Sequence, residues 1–202
     1  MPREVIIMKT TKEVYARYDA QTIRVYQAYK PAIAQEAIRL QTFGESFSRT
    51  RMTWIKPSFL WMMYRCGWCS KQDQEMVIAL DLRREAFEDL LRHAVLTHPT
   101  GDMDSALWRQ TLDTSPVRVQ WDPERNPDGS PMERRAIQVG VKGEGLDILL
   151  SGIVRITDMT PQVLEWDRQR KAGTLDREAL PSETLYPVTD PDIRRNLAMG
   201  TF

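Results

Sequence analysis

The chain has 202 residues, of which 42% are hydrophobic and 28% are charged, a composition typical of one globular domain with a single core. Basic and acidic residues number 28 each, so the formal net charge is zero. A neutral chain is not expected to coat nucleic acid through its overall charge, so any anion binding must be local. The sequence has no apolar run of the roughly 20 residues that cross a bilayer, and we expect no membrane partner.

The sequence also predicts where the protein resides. Its N-terminus lacks the long apolar segment and the small-residue cleavage site of a secretory signal. The two cysteines, Cys66 and Cys69, are too few for a disulfide framework, which agrees with a reducing compartment. We therefore expect a cytoplasmic protein.

The first half of the chain alternates between strand and helix patterns. Alternating side chains predict strands, proline in a first turn predicts a helix start, and glycine after a last turn predicts a helix end. In chain order the predicted elements are a short strand at 5–8, a strand at 21–29, a helix at 31–41, a loop at 42–53, a helix at 57–67, a strand at 75–82 and a helix at 84–96. The strand at 75–82 has too many consecutive apolar residues to be half-exposed, so we expect it at the centre of a sheet.

The second half continues with a similar mixture. In chain order the predicted elements are a helix at 104–112, a strand at 115–121, a turn-rich loop at 122–134, a strand at 135–141, a helix at 144–150, a strand at 152–158 and a helix from Thr160. This order predicts a single α+β domain over residues 1–170, with a mixed or mostly antiparallel sheet and packed helices. Residues 171–202 are proline-rich and lean acidic, and we expect a strap or a partly disordered tail.

Residues 46–71 concentrate positive charge. They hold three arginines, two lysines and no acidic residue, a local charge of +5. The unsatisfied amides at the start of the helix after Pro57 carry partial positive charge. Together with neighbouring cations and hydroxyls they predict a phosphate site, whose members are Arg49, Arg51, Thr53, Lys56 and Ser58. Solvated charges and structural ion pairs are the alternative.

Tryptophans recur every seven residues in the same stretch. Trp61 lies with Phe59 and Met62 in a helix that is apolar nearly all round, and we expect all three to be buried. Trp54 lies among the polar groups instead. It either stacks on a base or nicotinamide ring, or covers the core.

The spacing of Cys66 and Cys69 fits a redox dithiol or half of a zinc site. Reactive dithiols place the first thiolate at a helix N-terminus, whereas this pair follows a helix, whose dipole opposes a thiolate there. A zinc site needs two further ligands, and the chain has two histidines and no second cysteine pair. We interpret both cysteines as structural and predict no metal site.

Polar side chains alternate along the strand at 115–121. The alternation places Arg118, Gln120 and Asp122 on the side opposite to Val117 and Val119. These polar groups either line a cleft, in which Arg118 and Gln120 bind a cofactor, or form an exposed sheet face. The sequence contains no glycine-rich dinucleotide fingerprint, phosphate-loop motif or nucleophile elbow.

Three segments carry a resemblance to a known family. They are Val25–Tyr29, Arg51–Arg65 and Ser115–Arg125, and the second, which starts Arg-Met-Thr-Trp, is highly specific. On these segments the sequence resembles domain of unknown function 4291, over roughly residues 15–170. The family name implies no activity.

A second resemblance is to the ADP-ribosyltransferase fold. The strand Val-Tyr-Gln-Ala at 25–28, followed by a helix from Pro31, is similar in layout to the first strand and helix of those enzymes. The resemblance places Gln27 where they have an arginine or histidine that holds NAD, and glutamine supplies hydrogen bonds but no charge. Asp158, at a strand end, is the nearest counterpart of their catalytic glutamate.

These observations predict an intracellular nucleotide-binding protein, with an NAD-dependent ADP-ribosyltransferase-like enzyme as the leading form. The predicted roles are phosphate binding for Arg49, Arg51 and Lys56, ring stacking for Tyr26 and Trp54, orientation of a ribose or amide for Gln27, and the acid nearest the reacting carbon for Asp122 or Asp158. One alternative is a non-catalytic nucleic-acid-binding module that uses residues 49–71, with nucleic acid as ligand or acceptor. Another is a structural domain whose cations pair with the acidic residues of 158–192.

Overall fold

The computed structural model describes residues 11–99 and 104–201, so the short strand predicted at 5–8 lies outside the described residues. The described residues form seven α-helices and eleven strands. The helices are α1 (Pro31–Leu40), α2 (Phe59–Cys66), α3 (Arg84–Arg92), α4 (Ser105–Thr114), α5 (Glu144–Gly152), α6 (Thr160–Ala172) and α7 (Pro191–Asn196). The strands are β1 (Thr11–Lys12), β2 (Tyr15–Ala16), β3 (Thr22–Tyr29), β4 (Thr53–Ile55), β5 (Met76–Arg83), β6 (Ala94–Leu96), β7 (Val117–Arg125), β8 (Pro131–Val141), β9 (Ile153–Asp158), β10 (Thr184–Leu185) and β11 (Gly200–Thr201).

The strands form two main sheets and one short pair. The larger sheet has the order β11-β1-β8-β7-β6, with β4 also paired to β8. Its β7–β8 pair is a long antiparallel hairpin, whereas the β1–β8 and β6–β7 pairs are parallel. The smaller sheet, β3-β5-β9, is antiparallel throughout, and β10 pairs with β2. The predicted α+β class with a mixed, mostly antiparallel sheet is confirmed, and so is the central position of the strand predicted at 75–82.

The two main sheets meet where β3 runs beside the end of β4. The Tyr26 amide donates to the Lys56 carbonyl oxygen at 2.8 Å, and the Lys56 amide donates to the Tyr26 carbonyl oxygen at 3.1 Å. Paired backbone groups of this kind satisfy each other without water, so they can be buried at little cost. We call this junction the seam, and it fixes the backbone around the candidate site.

Strand β3 sends its side chains alternately toward two apolar clusters. Val25 faces the main core, to which α1, α3 and α5 contribute, whereas Tyr26 faces a second cluster that includes side chains of α2 and α6. In α2, the side chains of Phe59, Trp61 and Met62 are at most 7% exposed, which confirms the burial predicted for them. Helix α2 is therefore held by its apolar contacts, and its two ends are fixed in space.

The helix predicted at 84–96 is too long at its C-terminal end. Helix α3 ends at Arg92, and Ala94–Leu96 form the edge strand β6 instead. Because β6 pairs with β7 in parallel, a tertiary contact decides the conformation of these three residues.

The loop predicted at 122–134 is wrong over most of its length. Strand β7 continues to Arg125 and β8 starts at Pro131, which leaves only a short turn between them. Pro123 lies next to an irregularity in the ladder and Pro131 is the first residue of its strand, positions at which a missing amide hydrogen is tolerated. The polar residues of the predicted loop therefore lie on a rigid hairpin.

The segment that follows α6 returns to the rest of the domain. Its strands β10 and β11 pair with β2 and β1, near the start of the described chain. Four of its side chains lie in the main core: Tyr186, Val188, Ile193 and Leu197. These residues are part of the same packed unit as the two sheets.

Candidate functional site

A polar cavity of about 510 Å³ opens beside the seam. Six residues that the sequence marked as a site line it together: Gln27, Arg51, Thr53, Trp54, Lys56 and Gln120. They come from β3, β4, β7 and the segment around β4, so the junction of the two sheets brings them together. The other lining residues are Ala28, Tyr29, Met52, Met62, Arg65, Gln74 and Gln138.

A second hollow, of about 600 Å³, lies near the other end of β3 and is also rich in arginine. Two of its three arginines are already paired with one carboxylate of the protein. Arg24 donates two hydrogen bonds to the Asp81 carboxylate, at 2.7 and 2.8 Å, and Arg155 donates a third at 3.2 Å. Since Asp81 already neutralises much of this charge, we regard the cavity at the seam as the candidate site.

Gln27 and Thr53 form the buried wall of the cavity. Gln27 is 2% exposed, and its Nε2 donates to the Thr53 hydroxyl at 2.9 Å. Tyr29 shares a hydrogen bond with the same hydroxyl, and burial raises the pKa of Tyr29, so the phenol remains protonated and can donate. The Oε1 atom of Gln27 is buried and has no hydrogen-bond partner within the described residues. Such an unpaired acceptor is costly, so a ligand that supplies a donor would be favoured there.

Lys56 places a cation in the same wall. It is 5% exposed, and its Nζ donates to the Trp54 carbonyl oxygen at 3.3 Å. Burial, followed by the nearby charge of Arg65, lowers its pKa to about 8, while Asp122 and Cys66 act in the opposite direction. Arg51 and Arg65, which also line the cavity, form no ion pair within the described residues. The cavity therefore carries an excess of positive charge at neutral pH.

A glutamine pair holds the Asp122 carboxylate, which lies beside this charge. Gln120 and Gln138 are register partners on β7 and β8, and both side-chain amides donate to Asp122, at 2.8 and 2.6 Å. The predicted alternation of this strand is confirmed, because Val117 and Val119 are fully buried on the opposite side. The amide donors fix the direction of the Asp122 carboxylate.

Trp54 lies against the backbone of β8. It is the register partner of Gly140, and a Cβ atom on Gly140 would lie 2.9 Å from the indole ring and 2.8 Å from the Met52 sulfur. The glycine therefore allows the ring to approach the strand closely. Because Trp54 is only half-buried and lines the cavity, part of it is available to a ligand.

Six of the predicted site residues do not line the cavity: Asp122 lies beside it, bound to two of its glutamines, and two others are buried elsewhere. Tyr26 is fully buried, and its ring meets Phe59 edge-on at 5.4 Å, because successive side chains of a strand point to opposite faces. The stacking role predicted for Tyr26 is therefore wrong. Ser58 is also buried and caps α2: it accepts from the Trp61 amide at 3.1 Å and donates to Glu124 at 2.8 Å.

The other three lie outside the cavity. Arg49 is exposed in the loop before β4, and half-buried Arg118 faces Asp113 at 3.9 Å. Asp158 is exposed at the end of β9, where its carboxylate accepts from the amide of Thr160 at 2.9 Å. Asp158 is thus engaged at the start of α6, and Asp122 is the predicted acid that lies beside the cavity.

The phosphate site predicted at the start of α2 is occupied by a group of the chain itself. The amide of Phe59 donates to the Glu183 carboxylate at 2.6 Å. Burial raises the pKa of Glu183 to about 8. An acid of the C-terminal segment thus takes the place expected for a ligand phosphate, and the positive charge available to a ligand lies in the cavity.

Arg65, Gln74 and Gln138 were not predicted as site residues. Arg65 was counted among the cations of the basic stretch. Its position in a predicted helix, next to Tyr64, did not distinguish it from an ordinary surface arginine. Gln138 could have been recognised if the two strands had been paired as a hairpin, because it is the register partner of Gln120. Gln74 lies in the connection before β5, where no local pattern fixes its direction.

The structure describes both cysteines as free thiols, buried at the end of α2. Within the described ranges, no cluster of three or more histidine, cysteine or acidic side chains is placed to hold a metal ion. None of the helices in these ranges is long and apolar enough to cross a membrane.

The fold and the cavity define a mixed α/β domain with a cation-rich cavity at the junction of two sheets. A family model described as a domain of unknown function, DUF4291, matches residues 13–186, and the chain belongs to this family. The resemblance noted from the three sequence segments is thereby confirmed, and every residue that lines the cavity lies within the match. No curated protein matches the chain.

Proposed function

We propose that the protein binds a nucleotide or dinucleotide in the cavity beside the seam. The observation that carries the proposal is the composition of the lining: three cations surround a wall of amides and a hydroxyl, no acidic residue is among the lining residues, and Asp122 beside them is already bound by two glutamines. The volume of about 510 Å³ lies in the usual range for small-molecule sites.

The cations favour the phosphate groups of such a ligand. Lys56 is nearly enclosed by protein, so its attraction to an anion is stronger than it would be in water. Arg51 and Arg65 lie at the more open side, where both are exposed and can approach a ligand. Guanidinium groups bind phosphate oxygens in pairs of hydrogen bonds, which fixes orientation as well as affinity.

The neutral groups favour a ribose, a base or a carboxamide. The unpaired Oε1 of Gln27 accepts a hydrogen bond, and Thr53 can donate its hydroxyl proton when Tyr29 donates to it. The half-buried ring of Trp54 offers a surface for stacking. NAD combines a pyrophosphate, ribose hydroxyls and a carboxamide, so it is the first ligand that we would test.

ADP-ribosyl transfer is the reaction that we would look for with NAD. Such a reaction needs a negative charge near the sugar carbon from which nicotinamide departs. Asp122 is the acid beside the cavity, and its two glutamine partners hold its carboxylate in place. We therefore assign this role to Asp122 rather than to Asp158.

A nucleic-acid-binding module remains the alternative, but the fold removes two of its stacking groups. Trp61 and Trp68 are each 7% exposed, so they offer little surface to a base. Of the three tryptophans in the basic stretch, Trp54 alone lines the cavity. This arrangement suits one enclosed ring better than a strand of stacked bases.

Thermal unfolding with added NAD, ADP-ribose, ATP, single-stranded DNA or RNA tests the proposal. A ligand at 100 times its dissociation constant stabilises the fold by about 2.7 kcal/mol, which corresponds to a rise in Tm of roughly 5–10 °C. We expect this rise with NAD or ADP-ribose. A rise with the polynucleotides alone would favour the alternative, and no rise with any ligand would contradict both.

A matched pair of variants shows whether the cavity is responsible. Arg51→Met removes a cation that lines it, whereas Arg49→Met removes one from the same loop outside it. Loss of a charge-assisted hydrogen bond costs about 1.5–3 kcal/mol, so we expect Arg51→Met to lower affinity about ten- to hundredfold and Arg49→Met to have little effect. Equal losses in the two variants would mean that binding depends on general charge and not on this cavity.

A further inference from the structure

Another polar cavity adjoins the one beside the seam. It measures about 440 Å³, and we call it the side cavity. The two cavities share four lining residues: Tyr29, Arg51, Met52 and Thr53. Each cavity alone lies in the size range of small-molecule sites, and the shared residues stand at the boundary between them. A ligand that crosses this boundary would contact both cavities at once.

The boundary combines fixed, buried groups with one exposed cation. Thr53 is 9% exposed, and its hydroxyl accepts from Gln27 and shares a hydrogen bond with Tyr29, so these three side chains hold one another in place. Arg51 is exposed and pairs with no acid in the part of the chain that the structure describes. A guanidinium group in this position can bind two phosphate oxygens of a ligand that extends from one cavity into the other.

The side cavity differs in charge from the cavity beside the seam. Besides Arg51, its described lining residues include one cation, Lys30, and one acid, Asp73, whose charges cancel. Ser46 and Ser48 add exposed hydroxyl groups. The cavity beside the seam, in contrast, has three cations and no acid among its described lining residues. The side cavity is therefore better suited to the uncharged sugar and base of a nucleotide than to its phosphates.

Asp73 supplies an acceptor for the sugar. Its backbone is in the left-handed region, with φ of 61°, and its amide donates to the Glu75 carboxylate at 2.9 Å, which fixes the backbone there. Its own carboxylate is exposed and forms no hydrogen bond or ion pair with any residue that the structure describes. An ionised carboxylate with open acceptor sites suits the adjacent hydroxyl groups of a ribose.

Phe47 and Ile33 give the side cavity an apolar wall. The ring of Phe47 packs against Phe43, with 4.4 Å between the centroids, and meets Tyr29 edge-on at 6.0 Å, so it is held in place. Ile33, from α1, is half-buried in the same lining. Fixed apolar surface of this kind suits the face of a base.

We propose that the side cavity binds the nucleoside half of a dinucleotide whose pyrophosphate lies at Arg51. The inference rests on the proposed function, since the other half of the ligand occupies the cavity beside the seam. Asp73 binds the ribose hydroxyls, the base lies on the apolar wall, and Arg51 binds the phosphates where the cavities meet. Together the two cavities select a dinucleotide over a mononucleotide.

Isothermal titration calorimetry with NAD and with its two halves, AMP and nicotinamide mononucleotide, tests the proposal. Linking two groups that bind adjacent sites raises affinity by about 10²–10⁴, so we expect NAD to bind at least about a hundredfold more tightly than either half. If NAD bound no more tightly than one of its halves, the proposal would be overturned and the proposed function would stand. If neither NAD nor nicotinamide mononucleotide bound, both would be contradicted.

A matched pair of substitutions tests the role of Asp73. Asp73→Asn keeps the size of the side chain and tolerates the left-handed backbone, but it replaces a charged acceptor by a neutral one. We expect about tenfold weaker binding of NAD and AMP, with little change for nicotinamide mononucleotide. Glu45→Gln removes an acid of the loop before β4 that lines neither cavity, and it should leave all three affinities nearly unchanged.

The sign of the effect separates this role from a general effect of charge. Removal of a negative charge would by itself strengthen the binding of an anionic ligand, whereas loss of the bond to ribose weakens it. Thermal unfolding of both variants establishes that they are folded. Unchanged or tighter binding of NAD by Asp73→Asn, with a wild type that binds NAD, would contradict the assignment of the side cavity.

Discussion

Lys56 combines a positive charge with almost complete burial, and this combination makes its charge sensitive to pH. In the free protein its pKa is lowered from 10.5 to about 8, chiefly by burial and then by Arg65. A bound anion would favour the protonated form and raise the pKa again. Protonation of Lys56 and binding of a phosphate-bearing ligand therefore favour each other.

The affinity for NAD or ADP-ribose should fall as the pH rises above about 8. Between pH 7 and pH 9 the protonated fraction of a free group with this pKa drops about tenfold, so we expect a loss of affinity of up to about tenfold. Isothermal titration calorimetry at the two pH values measures it. In Lys56→Met the affinity should be lower and nearly independent of pH.

Cys66 provides the control for this prediction, because its pKa of about 7 places a second titration in the same region. Cys66→Ser should keep the pH dependence if Lys56 is responsible. A flat profile in Cys66→Ser, together with an unchanged one in Lys56→Met, would assign the effect to the thiol instead.

At the scale of elements, the short strand β4 shapes the cavity through its contact with β8. Trp54 lies against Gly140, and this close approach positions the ring at the cavity. Gly140→Ala would place a methyl group 2.8–2.9 Å from the Met52 sulfur and the indole ring, so both must move. We expect a loss of stability of about 1–3 kcal/mol and weaker ligand binding, measured by denaturant unfolding and calorimetry.

Gly44→Ala is the matched control for that substitution. Its Cβ atom would meet only the carboxylate end of Glu36, at 2.4 Å, and a flexible side chain can turn away. Ligand affinity should therefore stay unchanged in Gly44→Ala. A similar loss of affinity in both variants would show that Trp54 does not depend on Gly140 for its position.

Elements that are determined by local pattern could be predicted from the sequence, and those determined by pairing could not. The strand Thr22–Tyr29 follows from the alternation of its side chains. The end of helix α2 at Cys66 follows from Gly67, the glycine after its last turn. In contrast, Ala94–Leu96 are apolar in a way that fits a helix and a strand equally, and only the contact with β7 decides. Both strands of the β7–β8 hairpin were predicted, but their extension to Arg125 and from Pro131 was missed, because the prolines and the Asp-Gly pair resemble a long loop.

The candidate site shows the same division. Gln27, Thr53, Trp54 and Lys56 could be predicted because a basic stretch and a strand pattern mark them locally. The error at Tyr26 has a simple cause. Tyr26 and Gln27 are successive residues of β3, so their side chains point to opposite faces of the strand. Glu183 could not be placed, because 124 residues separate it from Phe59, to which it binds.

At the scale of the whole molecule, the core extends beyond the segment that the family match covers. The match ends at residue 186, whereas Val188, Ile193 and Leu197 are buried in the main core. These side chains contribute apolar area to the same cluster as the two sheets. The C-terminal segment therefore stabilises the core on which the two sheets around the cavity are packed.

Leu197→Ala should destabilise the protein substantially. Leu197 is fully buried, and removal of a buried leucine side chain costs about 2–5 kcal/mol. Leu185→Ala, in the same segment, removes the same atoms from a side chain that is 51% exposed, and we expect a change within about 0.5 kcal/mol. Urea unfolding of both variants measures the difference. Similar small changes in both would mean that the segment is only loosely attached.

The pairing of β1 with β11 and of β2 with β10 sets an order for folding on the ribosome. Both early strands receive these partners from residues after Gly173, which are synthesised after the strands of the two main sheets from β3 to β9. A nascent chain that has emerged only to that point lacks four side chains of the main core and leaves the edge of β1 unpaired. Unpaired strand edges and open cores favour aggregation, so this chain should depend on chaperones most strongly until residues 184–201 have emerged.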